Sequence, residues 1–199
     1  MNTKSIQINP EFIRSINQSV TTPRELSTTD QMRYGLLQMM LEHQESGRSL
    51  FMISTTYKPY QNKIYSPQDV DQFFTRFYLH HFLPELIQTK HYNRSKFRSI
   101  QPITIAFIDE HKPTVIKSRT NPDLLELSSK LHHHAVLAIH PDTLERIHSM
   151  VGENTMKTGF STKIMTTDLR SCDVGAVGYA SKMFHRYPDF LTFSGIKTK

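Results

Sequence analysis

Hydrophobic and polar positions recur along this chain with two periods, and each change of period marks an element. From Ser27, the STTD run supplies helix-cap residues, and Met32, Leu36, Met39 and Met40 then recur at helical spacing as far as Gly47. Residues 50–58, LFMISTTYK, are rich in β-formers and predict the first strand, with its polar end from Ser54 to Lys58 able to face a ligand. Ser66 and Pro67, with Asp69 in the first turn, start a longer helix whose stripe is Val70, Phe73, Phe74, Phe77, His81 and Phe82, and Pro84 should kink or end it. ITIAFIDEH predicts a strand ending in Asp109 and Glu110, and HKPTVIKSRTNPD an excursion at the sheet edge. LHHHAVLAIH then reads as a buried strand, PDTLERIHSMVG as a short helix, FSTKIMTT (160–167) as another strand and DFLTFS as the last. Between those two strands a helix is expected from Asp173 to just before Pro188. Residues 1–26 are polar and broken by Pro10 and Pro23, which predicts an N-terminal arm, or a short docked helix, ahead of one domain over 27–199.

A chain of 199 residues is long enough for one domain with a real core. Lysine and arginine outnumber aspartate and glutamate by 24 to 18, and the pI is about 9.4, so the surface favours anionic partners such as nucleic acid. KHYNRSKFR, residues 90–98, sets Lys90, Arg94, Lys96 and Arg98 around Tyr92 and Phe97, a composition suited to phosphate contact and base stacking, with a solvated loop as the alternative. The single cysteine, Cys172, excludes an internal disulfide and a cysteine-built zinc cluster, and it fits a reducing cytoplasm. There is no long apolar run and no apolar core near the N-terminus, so a soluble, cytoplasmic protein with no membrane partner is expected. The absence of a GK[ST] phosphate loop excludes an ATP-driven helicase unit.

The histidines carry the chemistry. In a strand His132 and His134 project together while His133 points the other way, and two neutral imidazoles side by side are half of a metal site. Asp109, at the end of the preceding strand, is the choice for a third ligand, with Glu110 on the opposite face as competitor. Such a set leaves positions open for water and phosphate oxygens on Mn²⁺ or Mg²⁺, as Lewis-acid cleavage of a phosphodiester requires. His80 and His81, adjacent on a helix, diverge by about 100° and are poorly placed to share an ion. In GAVGYASKM, Tyr179 and Lys182 stand at i and i+3 on one helical face, with Arg186 at i+7. A phenol of pKa about 10 becomes a nucleophile when nearby positive charge favours the phenolate, and Lys182 can supply it. Gly175 and Gly178 each cost such a helix about 1 kcal/mol relative to alanine, which a close approach of a DNA backbone or of the sheet would explain, loose packing being the alternative.

The order Thr-bearing strand, acid-ended strand, His-x-His strand and Tyr-x-x-Lys helix, over residues 50–186, resembles the HUH endonuclease superfamily, and within it the single-tyrosine rolling-circle replication initiators, the Rep branch. The resemblance implies an α+β fold: a single domain with a central antiparallel sheet flanked by helices around an RRM-like core. It also implies a divalent metal on His132 and His134, and Tyr179 forming a 5′-phosphotyrosine with release of a 3′-OH from single-stranded DNA or an origin hairpin of a plasmid or small phage. His133 departs from the pattern, since the family carries a bulky apolar residue there. A second tyrosine at i+4 is missing, position 183 being Met, so a second subunit or another acceptor would have to complete a rolling circle. A relaxase or single-tyrosine transposase of the same superfamily is the nearest alternative. From another class, the alternative is a non-catalytic nucleic-acid-binding module in which the histidines are structural.

Overall fold

The Ser27 hydroxyl accepts the Asp30 N–H at 3.2 Å and caps α1, Thr28–Glu45, which gives way to Gly47 at φ +94°, a left-handed conformation that glycine adopts without strain. The computed structural model describes residues 27–57, 65–110, 115–117, 125–127, 131–152 and 165–194. The expected arm at 1–26, Lys58, residues 160–164 and most of the edge excursion lie outside them. α1 buries Leu37 and Met40 while Met32 is 45 % exposed, so the apolar stripe begins one turn later than the spacing suggested.

β1, Ser49–Tyr57, is followed by α2, Pro67–Phe77, which starts where Ser66, Pro67 and Asp69 predicted, with Ser66 and Asp69 forming a reciprocal capping box. Pro84 does not end the helical run. Its ring would clash with the carbonyl of His80 and it has no N–H to donate, and the chain opens into a π-turn, Tyr78–Phe82, immediately before α3, Leu83–Ile87. The wider turn brings Phe77, Tyr78 and Phe82 all into the core and turns His81, expected on the apolar stripe, out to solvent. A single turn α4, Ser95–Arg98, leads into β2, Ile103–Glu110. Two short strands pair next, β3 (Val115–Lys117) within the predicted excursion and β4 (Leu125–Leu127) just past it.

β5, Leu131–Ile139, is buried at all nine positions. After it come a 3₁₀ turn, Pro141–Thr143, then α5 (Leu144–Gly152), β6 (Met165–Ser171), α6 (Gly175–Ala180) and β7 (Phe190–Phe193). The strand expected at 160–167 therefore runs on to Ser171, because Met165 to Ser171 pair in register with Tyr57 to Phe51 of β1.

The five long strands form one sheet in the order β6-β1-β5-β2-β7, every neighbouring pair antiparallel. The chain is thus a single α+β domain with an antiparallel sheet flanked by helices. One face of the sheet, carrying Phe51, Ile53, Ala135, Leu137 and Ile139, packs on Phe74, Phe77 and Phe82 and on Ile147 and Met150 of α5. The other, carrying Leu50, Ile105, Phe107, Val136 and Ala138, packs on Leu37 and Met40 of α1 and on Val177, Ala180 and Phe184. Beyond Ile53 the second face loses its cover. Ser54 is half-buried and Thr56 exposed there, while Thr55 and Tyr57 point into the core on the first face. Among the described residues no helix is long and apolar enough to cross a membrane.

Candidate metal centre

Cross-strand register builds the centre. His132 lies opposite Asp109 of β2 and Thr56 of β1, and His134 opposite Phe107 and Ser54, so both imidazoles and the carboxylate emerge on the second face where cover ends. His132 Nε2 and His134 Nε2 are 2.9 Å apart and stand 3.2 and 3.3 Å from Asp109 Oδ2. Donors bound about 2.1 Å from one ion sit about 3.0 Å apart at octahedral corners and about 3.4 Å apart at tetrahedral ones, so this buried triangle suits a small divalent cation without fixing which. The three residues form a group able to hold a metal ion, with all ligand atoms within 4.8 Å of one another. Of the two acids, Asp109 is the one in this group. Glu110 instead pairs with Arg186.

Ser54 completes the arrangement from β1. Its Oγ lies 2.9 Å from His134 Nδ1, which fixes the ring and leaves Nε2 facing the centre. Burial lowers the pKa of His134, partly opposed by its hydrogen bond to Asp109, which favours the neutral imidazole a metal requires. Burial alone would raise the pKa of Asp109, but hydrogen bonds from His132, His134, Lys182 and the Glu110 N–H outweigh it and hold the carboxyl well below the usual range.

Tyr179 and Lys182 meet the centre from α6. The expected helix from Asp173 to Tyr187 is here only Gly175–Ala180, followed by turns through Arg186. Ser181 Oγ donates back to the Val177 carbonyl at 2.7 Å, and the chain turns so that Phe184 buries edge-on against Phe107 at 6.0 Å. Lys182 consequently lies just past the helix rather than on it, and Arg186, expected on the same face, is drawn to Glu110. The partnership of Tyr179 and Lys182 survives: Lys182 Nζ is 4.3 Å from the Tyr179 ring centroid and 2.6 Å from Asp109 Oδ2, and the Tyr179 ring lies 4.9 Å from that of His134. Burial would lower the pKa of Lys182, but the Asp109 carboxylate and then Tyr179 raise it, so the ammonium stays charged.

His133, on the first face, is wholly buried. Its Nε2 is 2.9 Å from Asp71 Oδ1, its Nδ1 2.8 Å from Tyr57 Oη, and its ring stacks on Phe74 at 4.9 Å. A carboxylate only accepts, so Nε2 carries the proton and Nδ1 accepts from the Tyr57 hydroxyl. The position is core, as an apolar residue would be, with both nitrogens satisfied. Neither Asp71 nor Tyr57 carried a signal in the sequence, because the contacts span 62 and 76 residues.

The basic segment 90–98 is not brought to the centre. It precedes the far end of β2, about 20 Å from Asp109 at strand rise, and Tyr92 and Phe97 pack against the core instead of standing free. His80 and His81 are both exposed and belong to no metal-binding group among the described residues. No protein-family model, curated protein or solved structure matches the chain.

Proposed function

We propose that this domain is a metal-dependent endonuclease and strand-joining enzyme of the HUH type, acting on single-stranded DNA with Tyr179 as nucleophile, in the manner of a rolling-circle replication initiator. The observation that carries the reading is Tyr179 itself. Only this ring and Met32 are exposed among the large hydrophobic side chains of the described residues, and at 48 % exposure the Tyr179 ring stands against His134 and under the Lys182 ammonium. A buried two-histidine, one-carboxylate group beside an accessible phenol is the equipment that phosphotyrosine chemistry needs.

When bound, Mn²⁺ or Mg²⁺ on Asp109, His132 and His134 would supply Lewis acidity toward phosphate oxygens. The chain's own groups do the rest. Lys182, held charged by Asp109, lowers the cost of phenolate at Tyr179 and favours negative charge developing on the phosphate. Tyr179, open to solvent, gives up its phenolic proton to water as Oη bonds to phosphorus. The bond from phosphorus to the 3′ oxygen breaks, and that oxygen takes up a proton to leave as a 3′-OH. The less buried end of the second face, with Ser54, Thr56 and Thr166, is the side from which a strand would approach the ligands.

Incubation with labelled single-stranded oligonucleotides and Mn²⁺ tests this reading. A covalent adduct that maps to Tyr179 is expected. Binding without an adduct, across randomised sequences, would make the domain a nucleic-acid-binding module instead.

A further inference from the structure

α6 is a weak platform for a reacting group. It has six residues, two of them glycine, so it is far too short to persist unaided, and while the Ser181 and Lys182 N–H groups reach the Val177 and Tyr179 carbonyls, it is side chains that reach the carbonyl of Gly178. Arg33, reaching across from α1, meets both needs. Its Nη2 donates to the Gly178 carbonyl at 3.3 Å and its Nε to Ser181 Oγ at 3.1 Å, while Asp30 Oδ1, 3.4 Å from Nη1, steadies the guanidinium. Ser181 passes the restraint on to the Val177 carbonyl. The bonded residues bracket Tyr179, one just before it and one two residues after. The side chain is only 12 % exposed, and the groups it holds lie on α1 and α6 rather than on the strands that carry Asp109, His132 and His134.

From this we infer that Arg33 is a positioning residue for Tyr179: it fixes the segment that presents the phenol and Lys182, and leaves the metal ligands alone. The inference rests on the proposed nuclease function for its consequence, though not for its geometry. An ordinary packing contact between α1 and α6 would tie Arg33 to stability alone. A positioning role ties it to the orientation of one tyrosine.

The test uses the full chain with Arg33→Ala and Arg33→Lys. Metal affinity, measured by Mn²⁺ calorimetry, should stay within about twofold of the unsubstituted protein. The rate of adduct formation at saturating oligonucleotide should fall about 10- to 100-fold in Arg33→Ala, as for a small misplacement of a reacting group, with the half-saturating oligonucleotide concentration unchanged. Millimolar guanidinium should restore part of the rate, which a general loss of packing would not allow. Independently of any reaction, fluorotyrosine labelling gives a ¹⁹F resonance for Tyr179, identified by its loss in Tyr179→Phe, and this signal should shift or broaden in Arg33→Ala and less in Arg33→Lys. If the unsubstituted protein forms no adduct, the nuclease reading fails while the ¹⁹F arm still decides on Arg33. An unchanged Tyr179 resonance, or Mn²⁺ affinity falling in step with thermal stability in both variants, would overturn the inference.

Discussion

Asp71→Ala separates an account based on exposure from one based on hydrogen bonding. Asp71 is 30 % exposed at its side chain, and truncating such a surface acid ordinarily changes stability by within about 0.5 kcal/mol. Here its carboxylate is the acceptor for the Nε2–H of His133, a ring with no exposure of its own. Leaving a buried donor unmade costs about 1–3 kcal/mol, so a loss of about 2 kcal/mol is expected. For a chain of this size that is a fall in Tm of about 4–8 °C. Thermal unfolding followed by circular dichroism measures it, with the exposed Glu42→Ala as the control for a plain surface change. Asp71→Asn should lose much less, because an amide oxygen still accepts from Nε2. A fall of under about 1 °C for Asp71→Ala would show that His133 does not depend on this acceptor, and the protonation assigned to the ring would be wrong.

His132→Ala and His134→Ala should each abolish Mn²⁺ binding by calorimetry, and Ser54→Ala, which only frees the His134 ring, should weaken it about tenfold. Undiminished affinity in both histidine variants would remove the metal centre. Tyr179→Phe should bind Mn²⁺ and single-stranded DNA normally and form no adduct, while Lys182→Ala should bind metal and react more slowly; an adduct mapped by mass spectrometry to Tyr187 would reassign the nucleophile. Cys172 has its thiol pushed up to about 12 by burial and by Asp173, against a smaller opposing effect of Arg170, so it should resist iodoacetamide at pH 8 in the folded protein and label fully once unfolded.

The pattern of the chain made its central strand, its first helix cap and the helix start at Ser66 legible, since each is written in residues a few positions apart. The metal triangle was half legible: the period of a strand puts His132 and His134 together, but Asp109 was chosen over Glu110 only by its place at a strand end, and register decides that. What local pattern could not show depends on distant partners. Nothing between Ala180 and Pro188 forbids a helix, and the chain leaves it because Ser181 bonds back and Phe184 has a place against Phe107. The end of β6 at Ser171 is set by pairing with β1, and Arg33 reaches Gly178 across 145 residues.

Three histidines in a row look interchangeable, yet the sheet treats them as two unlike kinds. A slip of β5 by one residue would carry His133 onto the ligand face with Leu131 or Ala135 as its neighbour, and would drive His132 and His134 among Phe74 and its neighbours with no Tyr57 or Asp71 in reach of both. The correct pairing satisfies both ring nitrogens of His133, whereas the slipped one sets one histidine in that place and strands the other in hydrocarbon. The Tyr57, His133 and Asp71 chain therefore makes a misaligned strand expensive, and so favours the one register that sets His132, His134 and Asp109 together.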